Sequence, residues 1–215
     1  MAELIVEENK LVVKLVYYGP ALSGKTTNLM RLHDLLSARR RGELMTFETR
    51  GDRTLFFDLL PLVARSESGF IVKFKLFTVP GQVAHDATRK AVLSRADGIV
   101  FVADSQHHQA MHNFESFDNL EQNARRVGLD LDHTPLVIQF NKRDLDGIVS
   151  ENEVNARWQP TGLPILFASA VRGSGVRETF SQLLVRTHHA LDQTFHLQQR
   201  HQITVDHFLQ VLTEG

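Results

Sequence analysis

Two short stretches hold the residue types that phosphate and base chemistry require. Gly19 to Thr27 reads GPALSGKTT at the end of an apolar run, a fit to G-x-x-x-x-G-K-[ST]. In that pattern Gly19 and Gly24 permit a tight turn. The N–H groups of the loop, those of Leu22 and Ser23 included, then face phosphate oxygens at a helix start whose dipole favours anions. Lys25 reaches the β- and γ-phosphates, Thr26 offers a hydroxyl to Mg²⁺, and Thr27 completes the loop. A glycine-rich strand-to-helix turn with no ligand is the alternative, and the loop alone does not separate ATP from GTP. The second stretch is NKRD, Asn141 to Asp144, after another apolar run. The carboxylate of Asp144 can accept from both N1–H and the N2 amino group of guanine, a donor pair that adenine lacks. The stem of Lys142 can cover the base plane, and Asn141 can tie this loop to the phosphate loop. FASAV, residues 167 to 171, follows a third apolar run; Ser169 and the N–H of Ala170 are candidates for the guanine O6 side.

These loops need strands that end at one edge of a sheet and helices that begin there. LIVEE and LVVKLVYY read as two strands joined by a turn at Glu8, Asn9 and Lys10, and a helix is predicted from about Lys25 to Ala38, with Leu29, Leu32, Leu35 and Leu36 on one stripe. LFFDLLPL and the alternating FIVKFKLFTV follow. The nearly unbroken DGIVFVADS, LVIQFNKRD and ILFAS have the continuous apolar character of strands buried on both faces. Strands alternating with helices predict a doubly wound, mainly parallel α/β sheet with right-handed crossovers, an extra N-terminal strand and a C-terminal helical extension. The domain division expected is 1–190 and 191–215.

With 215 residues, 42% hydrophobic and 23% charged, the chain is long for one domain and short for two. A formal net charge of −1 with scattered Lys and Arg gives no reason to expect nucleic acid as a partner. The absence of cysteine removes disulfides, thiolate metal sites and cysteine catalysis. MAELIVEENK is too acidic and too short in its apolar run for a signal peptide or a spanning helix, so no integral membrane segment is expected and the location expected is cytoplasmic.

GPALSGKTTNL, DRTLFFDLLPL, TVPGQ, DGIVFVADS and VIQFNKRDL together resemble the Ras-like small GTPases over about residues 11 to 190, and more closely the bacterial MglA proteins, which set cell polarity in gliding bacteria. The resemblance implies GTP and GDP as ligands and Mg²⁺ as cofactor, with metal contacts from Thr26, from Thr54 in the active state, and from Thr78. It places Thr78 where most Ras-like proteins carry a metal-directed aspartate, an exchange typical of MglA proteins. A neutral hydroxyl there weakens the metal site without abolishing it. The N–H of Gly81 would report the γ-phosphate, Gln82 would orient the attacking water, and Arg53 beside Thr54 would act as an arginine finger in cis. The partners implied are a roadblock-fold activating protein of the MglB type and polarity or motility effectors at a cell pole.

Two other readings stay open at this point. The exchange at Thr78 suits a nonhydrolysing nucleotide-bound scaffold, and the phosphate loop by itself suits a nucleotide kinase or another ATP-dependent enzyme. Asp58 is a possible substitute for the missing carboxylate, although its setting reads as the polar face of a strand. The tail from residue 187 holds five of the eleven histidines; it reads as helix with a break near Gln202 to Thr204, and Val205, Phe208, Leu209 and Leu212 share one face. His188 and His189 read as part of a solvated face.

Overall fold

Strand β6, Gly98–Asp104, is buried at every position, and β7, Leu136–Asn141, likewise. Uninterrupted apolar runs of this kind fold stably only where helices cover both faces of a parallel sheet. The computed structural model describes residues 2–49, 55–66, 69–81 and 86–213. Within these, β1 (Glu3–Ile5), β2 (Lys10–Tyr18), β3 (Met45–Thr49), β4 (Leu55–Arg65), β5 (Ile71–Thr78), β6, β7 and β8 (Ile165–Phe167) form one eight-stranded sheet in the order β3-β4-β5-β2-β6-β7-β8. The β2–β5, β2–β6, β6–β7 and β7–β8 pairs are parallel. The β3–β4 and β4–β5 pairs are antiparallel. β1 pairs antiparallel with the first residues of β2, ahead of the stretch that β6 occupies.

Three elements differ from their sequence reading. In place of a strand over LIVEE, the chain forms a three-residue strand at Glu3–Ile5 followed by a 3-10 turn at Val6–Glu8. The first helix, α1, runs Lys25–Leu35, shorter than predicted because Leu36 turns to extended backbone. β3 was not predicted at all, and it forms the edge of the sheet beside β4.

One apolar layer packs β2, β4 and β5 against α1 and against α5 (Val176–Phe195), with Leu29, Leu32, Phe180 and Leu184 at its centre. The other packs the sheet against α2 (Asp86–Leu93), α3 (Ala110–Arg126) and α4 (Glu151–Trp158). Beyond α5 the chain turns at His196, whose φ is 52°, into α6 (Leu197–His201), and again at Gln202, φ 55°, into α7 (Val205–Leu209). This tail returns to the α1/α5 side of the sheet. Leu197, Ile203, Phe208, Val211 and Leu212 join that core, and the Phe208 ring meets Phe74 of β5 edge-on at 5.1 Å. His188 is buried rather than solvated, because its Nε2–H donates to the carbonyl of Ile203 at 2.8 Å and its ring packs edge-on against Phe208.

Candidate functional site

The carboxyl ends of β2, β6, β7 and β8 bring the phosphate loop and the two base-side loops together. Gly24 precedes α1 with φ 96°, and a Cβ there would lie 2.3 Å from Nδ2 of Asn141; a Cβ on Gly19 would lie 2.2 Å from the carbonyl oxygen of Val102. Only glycine permits this approach of loop to loop. Leu22 sits at the exposed crest with φ 61°. Ser23 is buried, and its hydroxyl has no hydrogen-bond partner among the described residues. Asn141 is the clasp between the loops: its Nδ2 donates to the Ser23 carbonyl at 2.8 Å, and its Oδ1 accepts from the Ala170 N–H at 2.9 Å. With that N–H engaged, Ala170 locks the base loops to each other. Ser169 donates its hydroxyl to Asp144, and this bond holds the Asp144 carboxyl below the usual range, ready to accept as an anion. The ammonium of Lys142 pairs with Asp104 at 2.6 Å.

Lys25 is 6% exposed and donates to the carbonyls of Gly19 and Pro20 at 3.0 and 2.6 Å. Burial, reinforced by the nearby Arg89 cation and opposed by Asp58, pushes its pKa down to about 7. A polyanion in the loop would oppose this shift, since an opposite charge nearby favours the protonated lysine.

Thr78, in the position of the missing carboxylate, donates its hydroxyl to Oδ2 of Asp58 at 2.8 Å and accepts from the Asp58 N–H at 2.8 Å. The same carboxylate accepts from Thr26 of the phosphate loop at 2.6 Å and from Thr46 of β3 at 2.9 Å. Asp58 is 5% exposed, so its assignment to a polar strand face was wrong. The alternation of β4 shows the reason: Leu60, Leu62 and Ala64 share its parity and are all buried. A carboxylate is thus present beside Thr26, supplied by the neighbouring strand. Hydroxyls and a carboxylate form an all-oxygen donor set, the kind that suits a hard cation such as Mg²⁺, so the residues present fit the metal.

Gly81 lies against the phosphate loop, where a Cβ would come within 2.3 Å of Cα of Ala21. Its carbonyl and that of Pro80 accept from Arg89, a fully buried guanidinium on α2 that also donates to Asn119 at 2.7 Å and lies over the ring of Tyr18. Thr27 follows in the first turn of α1. Arg53, Thr54 and Gln82 lie outside the described residues.

Sequence reading missed Asp104, Arg89 and Thr46 and misjudged Asp58. Asp104 had a signal, an acid closing the otherwise apolar GIVFVAD. Arg89 had none, because an arginine in a helical stretch reads as surface.

Residues 65–187 match the model of the ADP-ribosylation factor family. The chain is also 47% identical over 166 residues to the mutual gliding-motility protein MglA of Myxococcus xanthus strain DK1622, an alignment covering 77% of this chain and 85% of that protein. The family match begins after the phosphate loop, whose geometry therefore stands as separate support.

Proposed function

This chain belongs to the ADP-ribosylation factor family and is a GTPase switch; from that premise we propose that its site reads guanine through Asp144 and Lys142. In this reading Gly19 to Thr27 cradle the phosphates, and Thr26, Thr54 and Thr78 take part in Mg²⁺ binding with Asp58 as the carboxylate of the set. Mg²⁺ held by these oxygens would supply positive charge against the negative charge that develops in phosphoryl transfer. The protein's own groups do the rest: Lys25 holds phosphate oxygens, Gln82 orients water, and Arg53 meets the transferred group in cis. Little proton chemistry is demanded, so positioning and electrostatics suffice. Asp58 gives the metal site a buried carboxylate, held on Thr26 and Thr78, in place of the one that position 78 lacks, so the exchange at Thr78 does not by itself favour a nonhydrolysing scaffold.

The biological output is proposed by likeness: control of gliding motility or cell polarity, with recruitment from the cytoplasm to a cell pole, polarity or motility effectors, and a roadblock-fold activator of the MglB type. Among the described residues no helix is long and apolar enough to cross a membrane. Single-turnover hydrolysis of GTP, with and without a roadblock-type protein, tests the mechanism. Stimulation by about 10³ to 10⁵ is the expected range for a positioned finger. Arg53→Ala and Gln82→Leu should each remove most of it while GTP affinity stays nearly unchanged, because both groups act on the transition state. Full stimulation of Arg53→Ala would put the finger on the partner.

A further inference from the structure

Asp104 and Asn141 face each other in register at the last rung of the β6–β7 ladder, and the next residue, Lys142, has left-handed backbone with φ 67°. This conformation disfavours a side chain and persists only where surroundings impose it. Here the lysine side chain returns across the strand ends to Asp104, Nζ to Oδ2 at 2.6 Å. The carboxylate has no freedom to follow it elsewhere. Its Oδ1 accepts from the Gln106 N–H at 3.0 Å, and the Asp104 backbone is clasped on both sides by Asn113 of α3, which accepts from the N–H at 2.9 Å and donates to the carbonyl at 2.8 Å. The loop after β6 is tied in turn to the base loop, with Ser105 N–H donating to the Asn141 carbonyl at 3.0 Å and Val149 N–H to the Ser105 carbonyl at 2.9 Å.

A carboxylate only 4% exposed, paired with a lysine 26% exposed, is a weak device for stability, since desolvation cancels much of the attraction. It sits instead at the carboxyl end of the sheet, where ligands of open α/β folds bind. We infer that Asp104 is a positioning residue for base recognition: it anchors the Lys142 ammonium so that the lysine stem forms a fixed platform for the face of the guanine. The inference rests on the base-site reading given above. A lysine held in place in the free protein loses little rotamer freedom when the base arrives, and that preorganisation appears as slow release.

The test is a double-mutant cycle on release of a fluorescent GDP from the full chain in Mg²⁺ buffer, using Asp104→Asn, Lys142→Met and the pair together. Asn at 104 keeps an acceptor for Gln106 N–H, so loop geometry is retained. Each single change should accelerate release about tenfold, and the double variant should release no faster than Lys142→Met, the non-additivity expected of directly coupled groups. Asp104→Glu, which restores the charge, should return release most of the way to the original rate. If Asp104→Asn does not fold, Asp104→Glu takes its place in the cycle, with a smaller acceleration that Lys142→Met likewise masks. Multiplied effects in the double variant, or unchanged release in the singles, overturn the assignment. Asp144→Asn run in parallel separates the two readings. A switch toward xanthosine diphosphate with an additive cycle removes Asp104 alone, whereas failure of the switch removes the base site itself.

Discussion

Exchanging Thr78 for aspartate would put a second carboxylate within hydrogen-bond distance of Asp58, which already accepts the Thr78 hydroxyl at 2.8 Å. Two such carboxylates cannot both ionise without a cation between them. The variant should lose on the order of 3 kcal/mol of stability in the absence of Mg²⁺, and denaturation with and without the metal measures it. Asp58→Asn should preserve the fold and weaken Mg²⁺ binding about 10- to 100-fold, the range for changes around a metal, read from the Mg²⁺ dependence of nucleotide release. Lys25 makes a separate prediction. Its folded pKa of about 7 lies below the ordinary 10.5, so between those values the unfolded chain binds more protons and the stability of the free protein rises with pH. Below 7 the penalty of burying the charge is present in full. Phosphate binding restores the protonated form, so binding of GDP near pH 8.5, where its terminal phosphate is already fully ionised, should take up close to one proton. Calorimetry in two buffers of different ionisation enthalpy decides this, and absence of uptake at pH 8.5 would contradict a neutral Lys25.

Among the elements, the tail couples furthest from the site. α7 places Phe208 against Phe74 of β5 and His188 of α5, and Arg177 of α5 donates to the Leu212 carbonyl at 2.6 Å. Without it, the Phe74 side of the hairpin β4–β5 would lose its cover, and that hairpin also carries Asp58 and Thr78. Phe208→Ala should therefore cost about 3–5 kcal/mol, the range for a fully buried aromatic, and thermal denaturation of the nucleotide-bound protein gives the value. A loss under 1 kcal/mol would mean that the tail is not packed as part of the core in solution. The helix face holding Phe208 and Leu212 was legible from its 3.6-residue spacing. What it packs on was not: the break near Gln202 is expected from the sequence, but the left-handed turn at His196 falls on a non-glycine residue with no turn signature.

For the molecule as a whole, legibility followed locality. GPALSGKTT and NKRD announce a phosphate loop and a guanine-type loop because each is a contiguous piece of backbone whose residue types are fixed by what they must touch, and the apolar runs of β6 and β7 announce a sheet covered on both sides. The edge strand β3 escaped notice because it is short and its apolar Met45 and Phe47 are exposed rather than buried, so the stretch carries no core signal. The tertiary structure alone decided the relations between distant residues. It put Asp58 on Thr26, 32 positions away, and Asn141 on Ser23, 118 positions away. The sequence by itself determined that the chain has a nucleotide site and that position 78 lacks an acid. Where the missing charge comes from depends on which strand lies beside β5 and in what register. Such pairing is set by long-range packing, so no local pattern in the chain records it.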